Sequence, residues 1–133
     1  MSSDSKVAVI TGASQGMGAA LVEAYRGRSY GVVATARSVR PTNDDQILAV
    51  PGDITDRKTA ERAISEGLAR FGRIDTLINN AGVFVAKPFT QYTEADYATV
   101  LGVNLTGFFT SRSSPSQRWR SGIAATSCRS RRA

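Results

Sequence analysis

The chain has 133 residues, 41% of them hydrophobic, with 17 Lys+Arg against 11 Asp+Glu, no histidine and a single cysteine, Cys128. That length suits one small domain with a single core; the composition argues against histidine-based catalysis and most zinc sites, excludes an internal disulfide and offers no apolar run long enough for a membrane span. The net charge of +6 lies wholly in residues 111–133, which hold six arginines and no acid, whereas residues 1–110 balance 11 Lys+Arg against 11 Asp+Glu, so composition breaks near Thr110.

The first informative stretch is the apolar run Val7-Ala8-Val9-Ile10, which reads as a buried parallel strand. Thr11-Gly12-Ala13-Ser14-Gln15-Gly16-Met17-Gly18 follows, and then Met17, Ala20, Leu21, Ala24 and Tyr25 fall at helical spacing as one apolar face. Strand, glycine-rich turn and helix in that order make a socket for a pyrophosphate. Gly12 permits the sharp turn, Gly16 lets backbone N–H groups approach phosphate, and Gly18 lets helix and strand pack closely. The competing reading is an ordinary tight strand-to-helix turn.

Gly31-Val32-Val33-Ala34-Thr35 reads as a second buried strand, ending at Ala36-Arg37. The polar segment Ser38 to Gln46 is too short for a full crossover helix, and Ile47-Leu48-Ala49-Val50 makes a third strand that Pro51-Gly52 ends. Asp56 is the expected cap of a helix from Arg57 to Phe71, with Ala60, Ala63, Ile64, Leu68 and Phe71 inward and Gly72 closing it; this leaves Asp53 without a capping duty. Ile74 to Ile78 leads into a fourth strand, with Asn79-Asn80-Ala81-Gly82 at its carboxyl end, where ligands of open α/β sheets gather. Thr93-Glu94-Ala95-Asp96 is a capping box opening a helix expected to turn Tyr97, Val100, Leu101 and Leu105 inward. Asn104, near its end, reads by itself as a mid-helix asparagine bonded to its own backbone.

The Thr-Gly-x-x-x-Gly-x-Gly spacing of Thr11 to Gly18, the Asn79 to Gly82 string and Val103-Asn104 together resemble the classical short-chain dehydrogenase/reductase family, over roughly Lys6 to Phe109. The resemblance implies an α/β fold, a Rossmann-like doubly wound parallel sheet truncated to strand order 3-2-1-4. Residues 1–110 would then be an incomplete NAD(P)-binding domain, and residues 111–133 a disordered or non-native Arg/Ser-rich tail. It implies cofactor contacts from Gly12, Ser14, Gln15, Gly16, Met17 and Gly18, from Arg37, from Asp53 and Ile54 around adenine, and from Asn80, Ala81 and Gly82. Where NAD-dependent members carry an acid for the ribose 2′-OH, this chain has Ala36 and then Arg37, so NADP(H) is favoured over NAD(H); a solvated surface arginine is the other reading.

The family's activity is hydride transfer between nicotinamide and a carbonyl or hydroxyl carbon of a small molecule. Of its catalytic residues this chain matches Asn104 alone. The last tyrosine is Tyr97 and the last lysine Lys87, so no tyrosine–lysine pair follows, and little or no turnover is expected of this chain. Read one base out of frame, residues 113–133 can encode an apolar strand ending in serine, so the expected origin of the tail is a frameshift. A cytoplasmic setting is expected from the lone cysteine and from Asp4 in place of an apolar leader. Homo-oligomers, usual in the family, are doubtful for a shortened chain. The alternative is a nucleotide-binding module with a basic tail for nucleic acid or an acidic partner, disfavoured because Trp119 is the only aromatic there for base stacking.

Overall fold

The computed structural model describes residues 5–83 and 85–106. The break near Thr110 and the arginine-rich segment 111–133, with Trp119 and Cys128, lie outside the described residues.

Four strands, β1 (Val7–Thr11), β2 (Gly31–Ala36), β3 (Ile47–Pro51) and β4 (Thr76–Ile78), form one parallel sheet in the order β3-β2-β1-β4. Helices α1 (Gly16–Arg26) and α2 (Arg57–Phe71) cover its two faces, and α3 (Glu94–Leu101) follows β4. All five residues of β1 are buried, because a central parallel strand has both faces covered and so carries no polar face. Alternation along each strand splits the core in two. Val7, Val9 and Val33 pack with Ala63, Ile64 and Leu77 on the α2 side; Ala8, Ile10, Val32 and Ala34 pack with Val22 and Ile78 on the α1 side. Each of these larger aliphatic side chains contributes about 1.5–3 kcal/mol by leaving water.

The chain fills β1, β2 and β3 outward in one direction and then returns to place β4 on the other side of β1. Strand order therefore reverses between β1 and β4, and a crevice opens where their carboxyl ends diverge. Both side-chain caps form as expected. Asp56 accepts a hydrogen bond from Lys58 N at 3.0 Å at the start of α2, and Gly72 ends that helix in the left-handed region (φ 75°). Thr93 and Asp96 close their capping box on α3, and Asp96 also takes Lys87 Nζ at 2.6 Å. Lys87, then the Thr93 amide and hydroxyl, lower the Asp96 pKa to about 2.

Two helical faces differ from expectation. On α1 the buried residues are Gly18 and Val22, with Leu21 and Tyr25 half-buried against the same cluster; Met17, Ala20 and Ala24 face outward. Gly18 lies against the Gly12 turn at the end of β1, a close approach that a pattern of apolar side chains does not register. On α3 no residue is buried: Tyr97 is 63% exposed and Leu105, beyond the helix, 49%. Periodicity shows which residues share a side of a helix; it does not supply an element to lie opposite them, and none of the described residues covers these two. Arg37 to Gln46 runs without a helix, as its length requires. No helix among the described residues is long and apolar enough to cross a membrane.

Candidate functional site

The crevice between β1 and β4 opens into a cleft of about 840 Å³. Its floor is the turn Gly12 to Gly16, and its walls are the ends of β2, β3 and β4. Thr11, the last residue of β1, knots the floor to the β4 end. Its hydroxyl accepts from Asn80 N (3.1 Å) and Ala81 N (3.0 Å), and donates to Asn79 Oδ1 (3.2 Å). Asn80 Nδ2 returns a bond to Gly12 O at 3.2 Å, and Ala13 N reaches across to Thr35 O at 3.2 Å. The β2 end is thus tied to the turn by a backbone bond and the β4 end by the Thr11 hydroxyl and the Asn80 amide, which fixes its shape without filling the cleft.

The three glycines of the turn have different duties. Gly12 sits at φ 65°, and a Cβ there would lie 2.8 Å from Ala81 Cα. Gly18 is buried beneath the turn, where a Cβ would lie 1.9 Å from Gly12 O and 2.7 Å from Asn80 Nδ2. Gly16, at φ 56°, has nothing within 4 Å of where its Cβ would be, so its backbone freedom serves the turn while its missing side chain leaves the cleft open. The helix that starts here is left uncapped: Gln15, at the N-cap, makes no side-chain bond to it, whereas Asp56 and Thr93 cap α2 and α3. Its first N–H groups and the positive end of its dipole therefore face the cleft.

Of the residues singled out in the sequence, Gly12, Ser14, Gln15, Gly16, Arg37, Asp53, Ile54, Asn80, Ala81 and Gly82 line this one cleft. Met17 turns outward at 39% exposure and Gly18 lies below the floor, so neither lines it. Asp53 is not wholly free, because its Oδ1 accepts from Thr55 N (2.9 Å) and Thr55 Oγ1 (2.8 Å). Those bonds, the backbone one first, and the attraction of Arg37 hold its carboxyl below the usual range against the opposing effect of burial. Asp53 is therefore a permanent anion at physiological pH.

Asn104 stands in a π-helical turn, Gly102–Thr106, behind the β4 wall. It bonds not to its own helix but across 21 residues: Oδ1 accepts from Val83 N and Nδ2 donates to Val83 O, both at 2.9 Å. The amide thus imitates a neighbouring strand and fixes Val83, which lines the cleft. Sequence reading missed the Thr11 hydroxyl, Val83 and Arg40 as parts of this site. A polar residue ending a wholly apolar strand was the available signal for Thr11; nothing local marked the other two.

Comparison with known proteins gives a consistent picture. A family model described as short chain dehydrogenase matches residues 6–122. Sorbitol dehydrogenase from Cereibacter sphaeroides is 33% identical over 114 residues, covering 78% of this chain and 43% of the relative. L-fucose dehydrogenase from Mus musculus is 35% identical over 112 residues, covering 79% and 41%. Among solved structures, a short-chain dehydrogenase/reductase from Serratia marcescens superposes with a TM-score of 0.79 at 30% identity, covering 89% of this chain and 55% of that one. A 3-ketoacyl-(acyl-carrier-protein) reductase from Brucella melitensis, complexed with NADH, gives 0.76 at 28% identity, covering 80% and 47%. The chain spans less than half the length of these two curated relatives.

Proposed function

We propose, because this chain belongs to the short chain dehydrogenase family, that its cleft is the coenzyme site of an NAD(P)(H)-dependent oxidoreductase acting on a small carbonyl or alcohol. The observation that carries the reading is the uncapped start of α1 beneath the open space at Gly16. Of the three helices described, two are capped by their own side chains, and the uncapped one is the one whose amides face the cleft. Backbone N–H groups and a helix dipole favour a diphosphate there. The cleft volume falls in the range of ligand sites.

On this reading the turn Gly12, Ser14, Gln15 and Gly16 receives the diphosphate, with Met17 N–H at the helix start and Gly18 holding the turn against the sheet from below. Asp53 presents its remaining carboxylate oxygen to the adenine amino group, and Ile54 flanks the ring. Asn80, Ala81 and Gly82 lie along the nicotinamide half, with Asn104 bracing that wall through Val83. The bound coenzyme supplies or accepts the hydride. No tyrosine follows Asn104 in these 133 residues, so no residue of the chain is assigned the proton step, and the chain by itself is expected to bind coenzyme without turning it over.

Arg37 supports NADP(H) over NAD(H). It is exposed at the end of β2, lines the cleft, and makes no hydrogen bond or ion pair with another described residue. Titration of the full chain with NADPH and NADH, read by coenzyme fluorescence, tests this. Saturable binding with NADPH the tighter ligand is expected. Arg37→Ala should narrow the preference about tenfold or more, the effect of losing a hydrogen bond between charged groups. Folded protein that binds neither coenzyme contradicts the whole reading; equal affinities in the unaltered chain contradict the preference alone.

A further inference from the structure

The wall of the cleft that carries Arg37 has an unusual construction. Parallel strands are ordinarily joined by a crossover of a dozen or more residues, most often a helix. Here residues 37–46 join β2 to β3 without one. Such a segment lacks the packed helical face that would otherwise fix it.

Val39 is its one packed anchor, against the α1-side core, and farther along two arginines from opposite layers grip adjacent residues. From the last turn of α1, Arg26 places Nε 2.8 Å from Asp44 Oδ2 and Nη2 3.2 Å from Asp44 Oδ1, while its Nη1 donates to Tyr30 O at 2.9 Å. From the last turn of α2, Arg70 Nη2 donates to Asp45 O at 2.8 Å. The first grip is the stronger. It is a two-point fork between side chains only 23% and 36% exposed, whereas Asp45 is 95% exposed. Asp44 transmits the grip to the main chain, since its Oδ1 also accepts from Gln46 N at 2.8 Å, one residue before β3. The two arginines that face the cleft, Arg37 and Arg40, make no hydrogen bond or ion pair with another described residue. The segment thus has its bound guanidiniums behind it and its unbound ones in front.

We infer that the Arg26–Asp44 fork is a positioning device for coenzyme selection: it fixes the 37–42 rim so that Arg37 and Arg40 together present two guanidiniums to the ribose 2′-phosphate. This rests on the coenzyme reading above, and it makes Arg26 and Asp44 determinants of specificity although neither lines the cleft.

The test compares adenosine 2′,5′-bisphosphate with adenosine 5′-monophosphate, which differ only in the 2′-phosphate, by calorimetric titration of the full chain. The ratio of the two affinities is the readout, because a general loss of stability weakens both ligands alike. Arg26→Lys keeps the charge and loses the fork; Asp44→Asn keeps the shape and loses the ionic acceptor. Each should lower the ratio about fivefold or more while 5′-monophosphate affinity moves less than about twofold. The double variant should be no worse than either single one, since both act through one bond. Melting by circular dichroism checks folding, and if Arg26→Lys fails to fold, Asp44→Asn decides. A selective unaltered chain whose variants keep the full ratio overturns the inference. An unaltered chain that binds both ligands equally overturns the NADP preference, and one that binds neither overturns the site itself.

Discussion

Gly18→Ala will disrupt the fold, whereas Gly16→Ala will leave the chain folded and, on the proposed function, weaken its binding of NADPH. At Gly18 the added methyl would stand 1.9 Å from the carbonyl oxygen of Gly12 and 2.7 Å from Asn80 Nδ2. The first of these is backbone and cannot swing aside. The second is the amide that bonds Gly12 O at 3.2 Å, so relief there breaks the tie between the β1 and β4 ends. Overpacking a core costs about 1–3 kcal/mol, and more where the neighbour is main chain; alanine returns about 1 kcal/mol as a better helix former. We expect a net loss of about 3 kcal/mol, a large share of the stability of a small domain. At Gly16 nothing lies within 4 Å of the new methyl, so only the left-handed conformation at φ 56° opposes it, at about 1–2 kcal/mol. The methyl then occupies the space over the first helical amides, and on the proposed function NADPH affinity falls at least about tenfold. Thermal unfolding and NADPH titration of the two variants check this. Retained stability in Gly18→Ala, or unchanged affinity in Gly16→Ala, contradicts the division of duties.

Thr11→Val should lower stability by about 2–4 kcal/mol, out of proportion to the loss of one hydroxyl. The residue is 1% exposed, and valine fills nearly the same space. What is lost is an acceptor used twice, by Asn80 N at 3.1 Å and Ala81 N at 3.0 Å. An unpaired buried donor costs about 1–3 kcal/mol, reduced here because Asn80 and Ala81 are half-buried. Thr11→Ser keeps the hydroxyl and should lose only about 1 kcal/mol with the methyl. Urea denaturation of both variants decides. Valine as stable as serine at this position would remove Thr11 from its place at the centre of the site.

These residues also mark what can be read from sequence and what cannot. Features whose cause lies within a few positions were legible: the caps at Asp56 and Thr93, the left-handed end at Gly72, and the absence of a helix between Arg37 and Gln46. The sheet order came from a resemblance rather than from periodicity. Faces were less legible, because Met17, Ala20 and Ala24 are apolar yet lie opposite the glycine that makes the close approach. Least legible were bonds across long separations. Thr11 and Asn80 are 69 residues apart, Asn104 and Val83 are 21 apart, and Arg26 and Asp44 are 18 apart. Each pairing is set by where the strands return to the sheet, and no local pattern encodes that.

The central claim is that free amides at the start of α1 take a dinucleotide's diphosphate. Two-dimensional amide NMR of the ¹⁵N-labelled chain, titrated with NADPH, tests it residue by residue. The largest shifts should fall on the N–H groups of Ser14 to Gly18, with smaller ones at Asn80 to Val83. Saturable binding that leaves Ser14 to Gly18 unmoved would contradict it.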